Sequence, residues 1–593
     1  MRSAAAVPPP TKKTRQDAKF LPNKIATAET AAKVDRDPPL AKLMNAMKHA
    51  NKHPAKGEAV VYWMRMEDLR ITDNRALALA SKHAQQDGVP LLTLFVLSPQ
   101  DYVAHDRSAR RIDFTLRNLQ SIRSSLADKH IPLYTTSHTP RTTLPDYVLS
   151  LLKQWKATTL FANIEYEVDE LRRDIKLCEL AKKDGGIACT FVHDRCIIPP
   201  GQVYSPFLRS WIPHLTPKGK DSPIACAPDP ASNTPSVRDH PVYGPLFDNT
   251  VPDEVEGFTM DDPEERERIR MCWPAGEEAA RLMLDRFLHT MSRSSQLGAV
   301  DPLSEGAKVP TKNPNKDSRV GKYKDERDRL DADTTSRLSP YLAAGIISAR
   351  TCVRATTELS ANKKIDVSRD TGIGRWNQEI AWRDFYNHVL ALFPRVSMGR
   401  PFQEKMANVK WESETRDGHL QAWKDGRTGV PIVDAGMLQA KTMGWMHNRV
   451  RMIAAMYLTK DLMIDWRLGE KYFMEILIDG DLASNNGGWQ WSASTGVDPA
   501  PYFRIFNPYT QSHKVCVAAS VSAHPYPTSL DAQVDPTGEY IRTFVPELAK
   551  LRGEELHKPP PGLADKLGYP RPLVDHDEAR KRAIRRYKNP GEE

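Results

Sequence analysis

Residues 444–491 have types and spacings that could carry out redox chemistry. Eight of the chain's twelve tryptophans lie between Trp376 and Trp491, where a structural core alone would more often use Leu, Ile and Val. In the same stretch, I-D-G-D (478–481) presents two acids flanking one glycine, and S-N-N-G-G (484–488) places amides in a Gly-rich turn. Oxidisable indoles beside fixed polar groups indicate a buried redox cofactor.

Residues 333–348, D-T-T-S-R-L-S-P-Y-L-A-A-G-I-I-S, supply hydroxyls and backbone amides on a non-helical approach to a helix. The first amides of a helix attract anions, so Thr335, Ser336 and Ser339 suit a phosphate. Ordinary N-capping explains an isolated T-S-R at least as well. The residues alone leave both uses open.

The segment G-R-W-N-Q-E-I-A-W-R-D-F-Y (374–386) is predicted to be a helix with a mixed face. At 100° per residue, five side chains fall within an arc of about 120°: Trp376, Glu379, Trp382, Arg383 and Tyr386. A core stripe rarely includes Glu and Arg. A solvent-exposed Glu379–Arg383 ion pair is the ordinary alternative, but the flanking indoles favour the wall of a cavity.

Two patterns could be mistaken for other sites. In G-W-M-H-N-R-V-R-M, His447, Asn448 and Arg451 share one side of a helix, and a lone histidine there is more often structural. D-G-D followed by Asn imitates a calcium loop but lacks its final Glu. The seven cysteines show no C-x-x-C pair or ligand spacing, so no metal and a reducing compartment are expected.

The secondary-structure elements that must position these side chains are predicted to form two domains. Short apolar runs alternate with amphipathic helical segments (near 74–86, 108–129, 141–155 and 168–184), and the apolar runs are 59–64, 91–97, 131–135, 159–162 and 189–192. This alternation predicts a parallel, Rossmann-like α/β sheet, although G-x-G-x-x-G and P-loop motifs are absent from the sequence. From about residue 274 to 509 helical periodicity dominates, which predicts a second, all-α domain.

Four segments follow: a disordered basic tail (1–57), an α/β domain (58–194), a connector rich in Pro, Ser and Asp (195–270) and a helical domain (271–593). The tail holds 12 Lys or Arg against 4 Asp or Glu, and so carries most of the net charge of +9. It could be a nuclear or a mitochondrial targeting segment, or only a solvated tail. No apolar run is long enough for a transmembrane helix.

Taken together, these motifs closely resemble the photolyase/cryptochrome family, and within it the fungal-like class I photolyases that repair cyclobutane pyrimidine dimers. T-S-R-L-S-P-Y-L matches the family's flavin-diphosphate loop nearly letter for letter, and Tyr323 precedes Thr335 at the family spacing. The resemblance covers about residues 58–200 and 270–575. It implies an α/β antenna domain followed by an all-α FAD-binding domain.

The resemblance implies one FAD per chain, active in its reduced anionic form. The residues implied to hold it are Tyr323, Thr335, Ser336, Arg337, Leu338, Ser339, Trp376, Glu379, Arg383, His447, Asn448, Arg451, Asp479, Gly480, Asp481 and Asn485. Asn485 would face flavin N5, where plant-type cryptochromes carry Asp and animal ones Cys. An amide does not readily deliver a proton, so this residue favours a repair enzyme over a light sensor.

By the same resemblance, light drives an electron from reduced FAD into a dimer flipped out of the DNA duplex. Glu379 would meet the dimer, and the implied DNA contacts are Arg327, Glu379, Trp382, Asn448, Arg449, Met452, Trp491 and Arg504. Trp411, Trp466 and Trp489 align with the family's electron relay from surface to flavin. Met446-His447-Asn448 replaces the histidine pair of enzymes for (6-4) photoproducts, which favours cyclobutane dimers.

A second chromophore is expected to be methenyltetrahydrofolate rather than a deazaflavin, with His105, Asp169 and Glu170 at its site and Met398 where the family has Lys. Two departures from the family pattern, a shortened connector at 199–206 and an insertion near 514–534, point to irregularities of the gene model. A monomer in the nucleus or mitochondrion, bound to UV-damaged DNA, is expected. The alternatives are a cryptochrome-like light sensor, disfavoured by Asn485, and a dark flavoprotein oxidoreductase, disfavoured by the lack of a nicotinamide motif.

Overall fold

The computed structural model describes residues 25–48, 54–201, 207–215, 222–293, 297–305, 308–360, 363–413, 416–512 and 534–591. Most of the shortened connector (202–206) and nearly all of the insertion (513–533) lie outside these ranges. The first part of the predicted tail, residues 1–24, also lies outside them.

Two helices occupy part of the region predicted to be a disordered tail, α1 (Ala28–Arg36) and α2 (Pro39–Lys48). Thr27 Oγ1 accepts a hydrogen bond from the Thr30 backbone N–H and so caps α1. Leu40 and Leu43 of α2 are buried in the core of the α/β domain. The prediction of disorder is therefore wrong for residues 25–48, because apolar side chains of α2 are buried in this core.

The same segment also reaches the helical domain. Asp35 of α1 forms an ion pair with Arg395 (Oδ2 to Nη1, 2.9 Å), and the Ala26 N–H donates to the Met398 carbonyl oxygen at 2.9 Å. Residues 25–48 thus contact both domains.

The predicted parallel α/β sheet is confirmed. Its five strands pair in the order β3-β2-β1-β4-β5, all in parallel: β1 (Ala59–Trp63), β2 (Leu91–Leu97), β3 (Leu133–Ser137), β4 (Ala157–Asn163) and β5 (Ala188–Val192). The strands are covered by α3 (Arg75–Asp87), α4 (Pro99–Ala104), α5 (Ala109–Ala127), α6 (Leu144–Gln154) and α7 (Val168–Asp184). The strand order reverses between β1 and β4, where α/β sheets commonly hold ligands at the carboxyl ends of their strands.

The connector is held against the helical domain through one buried carboxylate. Asp384 Oδ2 accepts hydrogen bonds from the backbone N–H groups of Ile197 (3.0 Å) and Ile198 (3.4 Å) and from Trp211 Nε1 (3.0 Å). Burial raises the pKa of Asp384 to about 6, even though these donors favour the ionised form. The connector is therefore tied to the helix that also carries Trp376, Glu379 and Arg383.

The all-α second domain is also confirmed. Apart from one antiparallel bridge between Thr290 and Pro310, the described residues from 263 onward form helices and loops. With α8 (Phe207–Leu215) in the connector, the helices are α9 (Pro263–Cys272), α10 (Glu277–His289), α11 (Pro314–Asp317), α12 (Tyr323–Glu326), α13 (Ser339–Ala343), α14 (Ala349–Leu359), α15 (Gly372–Leu392), α16 (His419–Asp425), α17 (Pro431–Met443), α18 (Asn448–Met456), α19 (Trp466–Ile476), α20 (Leu482–Ser492), α21 (Pro508–Ser512), α22 (Glu539–Phe544), α23 (Gly553–His557), α24 (Pro561–Leu567) and α25 (His576–Lys588). Within the described ranges, none of these helices combines the length and apolarity needed to span a bilayer.

The burial of α2 generates a stability prediction. Leu43 is fully buried, whereas Leu79 on α3 is 43% exposed. Leu43→Ala is expected to lower the free energy of unfolding by about 2–5 kcal/mol, and the control Leu79→Ala by less than about 0.5 kcal/mol. Denaturant titration measures both. Equal midpoints for the two variants would contradict the docking of α2.

Candidate active site

The two acids of the I-D-G-D turn precede α20 and have different partners. Asp481 Oδ1 accepts from the Ala483 N–H (3.0 Å) and from Arg195 Nη2 (2.7 Å). Burial alone would raise the pKa of Asp481, but the charges of Arg195 and Arg383 outweigh it and hold the pKa below its usual value. Asp479 Oδ2 accepts from Arg451 Nη2 at 2.7 Å, while its Oδ1 is buried without a hydrogen-bond partner among the described residues. Such an atom is suited to a hydrogen-bond donor from outside the chain.

Arg195, in the connector, is a site residue that sequence reasoning missed. Its guanidinium lies against Glu67 and 3.7 Å from Glu167, both in the α/β domain, as well as against Asp481. Its carbonyl oxygen accepts from Arg383 Nη1 at 2.7 Å. The surrounding sequence R-C-I-I-P-P matches no functional motif, so only the fold reveals this role.

The mixed face predicted for residues 374–386 lies on α15. Arg383 Nη2 donates to the Leu342 carbonyl oxygen (3.1 Å), and its Nε is buried without a partner among the described residues. Trp376 is buried, with its ring 5.0 Å from that of Phe287. Thus one indole and one guanidinium of the predicted face line the interior.

The outer part of the same helix is accessible. Glu379 forms an ion pair with Arg327, and its side chain is 34% exposed. Trp382 is 38% exposed and contacts the rings of Phe385 and Tyr386 at 5.4 and 6.4 Å. The outer part of α15 therefore presents an ion-paired carboxylate and an accessible indole.

The loop before α13 offers hydroxyls rather than charge. Thr335 and Ser336 are half-buried and Ser339 is exposed; Ser339 Oγ accepts from Trp445 Nε1 at 3.0 Å. Arg337 has a left-handed backbone (φ 52°), and its guanidinium turns inward to the Asp333 carboxylate. Burial lowers the pKa of Arg337 to about 10. The loop can thus bind an anion through hydroxyls and backbone, not through Arg337.

Of the remaining two residues predicted beside this loop, Leu338 is buried, and Tyr323 packs edge-on against Phe287 at 5.7 Å.

His447 caps α18 by accepting at Nδ1 from the Arg449 N–H (3.1 Å). Burial lowers the pKa of His447 to about 4, so the imidazole is neutral. Asn448 is exposed. Arg449, predicted to contact DNA, is instead buried, with its Nε donating to Asp328 Oδ1 at 3.1 Å. Its charge is thus committed within the protein.

Asn485, on α20, is held in one orientation. Its Nδ2 donates to the Glu470 carbonyl oxygen of α19 at 2.9 Å. One N–H of Nδ2 is engaged in this way, which fixes the orientation of the amide and leaves its Oδ1 as an acceptor for a ligand. Glu470 is a second positioning residue that the sequence motifs do not reveal.

The relay candidates run from interior to surface. Trp489 and Trp466 are buried, and Trp411 is half-buried with its ring 6.1 Å from Tyr587. Trp489 lies directly on Gly469, where a Cβ atom would approach the indole to 2.1 Å. A glycine is therefore required at 469. The Trp489 Nε1 is buried and has no partner in the described part of the chain.

The remaining substrate candidates line the neighbouring surface. Trp491 is half-buried with its ring 6.3 Å from that of Phe506, and Met452 and Arg504 are also half-buried. Phe503, which sequence reasoning did not single out, is 59% exposed in the same loop as Arg504.

The antenna candidates divide between two environments. His105 Nε2 lies 3.0 Å from Glu170 Oε1, and both line a cleft at the carboxyl ends of β1 and β2. Although burial opposes ionisation of both, each holds the other charged, lowering the pKa of Glu170 to about 2 and raising that of His105. Asp169 is exposed and bound to Arg141 at 2.8 Å instead.

The interior of the helical domain fits a flavin. The helical domain holds buried polar atoms that have no partner among the described residues, namely the acceptor Asp479 Oδ1 and the donors Arg383 Nε and Trp489 Nε1. The helices α15 and α18, which carry Arg383 and the Asp479 partner Arg451, both pack against α20, which carries Trp489. An isoalloxazine ring carries N–H donors and carbonyl acceptors along one edge, and so complements such a set. Asn485 Oδ1 adds a further acceptor from α20.

Two family models match the chain. The model described as "DNA photolyase" matches residues 60–223, and "FAD binding domain of DNA photolyase" matches residues 376–520 and 516–589. A deoxyribodipyrimidine photo-lyase of Neurospora crassa is 39% identical, the match covering 96% of this chain and 89% of that protein. The enzyme of the same name from Escherichia coli is 35% identical over 88% of this chain and 97% of its own.

Solved structures give the same result. A bacterial class III photolyase from Agrobacterium tumefaciens has a TM-score of 0.65 and 30% identity, covering 89% of this chain and 97% of that one. A cryptochrome from Synechocystis has a TM-score of 0.64 at 24% identity, with 89% and 98% covered, and so shares the fold. On the extent and identity of these matches, the chain belongs to the DNA photolyase family.

Proposed function

We propose that the chain is an FAD-dependent deoxyribodipyrimidine photo-lyase of class I that repairs cyclobutane pyrimidine dimers in DNA. The observation that carries the proposal is the set of buried polar atoms without partners at Asp479, Arg383 and Trp489 in the described part of the helical domain, together with the Oδ1 acceptor of Asn485. When bound, reduced FAD supplies the light-driven electron that splits the cyclobutane ring. The relatives of the same name, similar over most of the chain, support the assignment.

The chain's own residues prepare this chemistry. The neutral His447 and the Arg451–Asp479 pair form a preorganised polar wall, which needs no rearrangement when charge moves. Asn485 offers an acceptor and no acidic proton near the flavin, which favours the anionic reduced form. Tyr323, Thr335, Ser336, Leu338 and Ser339 are assigned to the diphosphate region of the cofactor.

The substrate surface is assigned to the exposed part of α15 and the loop after α20. Trp382 and Trp491 offer flat apolar faces to a flipped dimer, and Glu379 stands beside Arg327 to receive its polar edge. Asn448, Met452 and Arg504 lie on surfaces open to DNA. Arg449 is left out of this set, because it is buried against Asp328.

We infer a second chromophore, methenyltetrahydrofolate, at the cleft lined by His105 and Glu170. Ser98 Oγ and Tyr102 hydroxyl, which line the same cleft, are buried without hydrogen-bond partners within the described ranges. A ligand rich in donors and acceptors would satisfy them. Asp169, outside the cleft's lining, would then play no direct part.

The enzyme is proposed to act as a monomer on nuclear or mitochondrial DNA. A Saccharomyces cerevisiae relative, 31% identical, is named mitochondrial. The basic composition of residues 1–57 is compatible with either address.

Repair is expected to require light and reduced flavin and to need no metal. The purified protein should remove dimers from an irradiated oligonucleotide under blue light, and EDTA should leave the rate unchanged. Equal dimer loss in darkness would contradict the proposal.

Asn485→Asp is expected to stop the bound flavin short of full reduction under light and reductant, because a carboxyl group near N5 can exchange a proton where the amide cannot. Repair should fall in parallel. The illuminated absorption spectrum is the measurement. Asn313→Asp, the same change at an exposed position, is the control; a wild-type spectrum for Asn485→Asp would refute the role.

Trp411→Phe is expected to remove most of the photoreduction of oxidised FAD, because a phenyl ring is much harder to oxidise than an indole. The packing loss should be modest, about 1–2 kcal/mol. Trp155→Phe, the same change at a buried position in the α/β domain, should photoreduce normally. Repair by dithionite-reduced Trp411→Phe reports whether the flavin site is intact. Full photoreduction by this variant would show that the relay lies elsewhere.

A further inference from the structure

Trp489 contacts a cluster of aromatic rings that does not belong to the three-tryptophan relay. The Trp423 ring, on α16, lies 6.0 Å from that of Trp489 at 73°, and the Phe473 ring, on α19, lies 5.0 Å from Trp489 and stacks at 6.0 Å on Trp423. Centroid separations of this size are those of rings in van der Waals contact. Trp489 therefore has a second oxidisable neighbour at contact distance.

Trp423 can transmit an oxidising equivalent but cannot retain it. Its side chain is fully buried, and its Nε1 donates to the Ala454 carbonyl oxygen at 3.1 Å. A carbonyl is not a base, so an oxidised Trp423 keeps its N–H proton. The hole either returns to Trp489 or moves to the next ring.

The next ring is that of Tyr472, 5.7 Å from Trp423. Tyr472 is half-buried, close to the surface, and its hydroxyl donates to the Lys424 carbonyl oxygen at 3.0 Å. Burial and the nearby Asp425 raise the pKa of Tyr472, so the ground state is a neutral phenol. An oxidised phenol is a strong acid, and because Tyr472 is half-buried, whereas Trp423 is fully buried, we expect water to reach it and accept its proton.

We propose that Trp423 and Tyr472 form a second electron outlet from Trp489 to the surface, with Tyr472 as its terminal donor. This rests on the proposed function, because it needs a photoexcited oxidised flavin as the electron acceptor. Trp489 gives one electron to that flavin, Trp423 gives one to oxidised Trp489, and Tyr472 gives one to oxidised Trp423. Tyr472 then loses its O–H proton to water. The flavin has gained one electron, and Tyr472 has lost one electron and one proton.

Tyr587 also places a phenol ring beside a relay tryptophan, Trp411, but an oxidised Tyr587 would have no route by which to lose its proton. Its side chain is 1% exposed, and its hydroxyl has no hydrogen-bond partner among the described residues. Lys460 Nζ lies 3.3 Å over the face of the ring and donates to Ser494 Oγ, rather than meeting the hydroxyl. Oxidised Trp411 is therefore not relieved by Tyr587. Each tyrosine has a lysine Nζ over its ring, at 5.1 Å for Tyr472, so the two differ mainly in their burial.

The decisive experiment uses flavin-loaded protein with oxidised FAD, illuminated and frozen. Trp411→Phe blocks electron transfer through the three-tryptophan relay, which is the first outlet. It should retain residual photoreduction and trap a radical with the electron paramagnetic resonance spectrum of a phenoxyl. Adding Tyr472→Phe, which removes one hydroxyl and keeps the ring, should abolish both the radical and the residual photoreduction. Adding Tyr587→Phe to Trp411→Phe instead should change neither.

Three outcomes would overturn the proposal: no residual photoreduction in Trp411→Phe, an indole rather than a phenoxyl spectrum in that variant, or a phenoxyl signal that depends on Tyr587. The Trp411→Phe spectrum alone distinguishes phenol from indole, even where a double variant folds poorly. Light-driven repair by dithionite-reduced wild type is measured in parallel. Its absence would contradict the proposed function, whereas loss of the tyrosine signal alone would contradict only the second outlet.

Discussion

The structure depends most on one buried cation, the guanidinium of Arg195. It lies against Glu67 and Glu167 of the α/β domain and 2.7 Å from Asp481, which caps α20. A buried charge is tolerated only when its partners surround it, and removing one partner typically destabilises a protein by about 3–5 kcal/mol. One set of compensated charges thus joins the α/β domain, the connector and the start of the cofactor helix.

Elsewhere in the helical domain, two glycines allow aromatic rings to pack directly on the backbone of a helix. Gly469 lets the Trp489 indole rest on α19, and Gly487 lets Tyr386 rest on α20; a Cβ at either position would come within 2.1 Å of the ring. Both glycines lie inside helices, where they weaken local stability by roughly 0.5–1 kcal/mol relative to Ala. At both positions the missing side chain lets an aromatic ring pack directly on the backbone of the helix.

Much of this arrangement follows from local sequence. Strands and helices of the first domain alternate with clear periodicity, so the sheet and the order of its elements along the chain are predictable. The motifs T-S-R-L-S-P-Y-L and I-D-G-D likewise mark the candidate cofactor site in the sequence itself. Contacts between distant segments are not predictable in this way. Arg195, Asp328 and Glu470 act on residues 286, 121 and 15 positions away, and nothing in their neighbours marks them. The same holds for α1 and α2, which are held by the burial of Leu40 and Leu43, by the Asp35–Arg395 ion pair and by the Ala26–Met398 backbone hydrogen bond.

The Arg195 network has an optical consequence. It opposes rotation of the α/β domain relative to α20, since rotation would separate Arg195 from Asp481 or from Glu67 and Glu167 and leave charges buried alone. Two pigments, one in each domain, would keep a constant angle between their transition dipoles while the molecule tumbles. The efficiency of resonance energy transfer between them would be set by the fold and would not average over orientations.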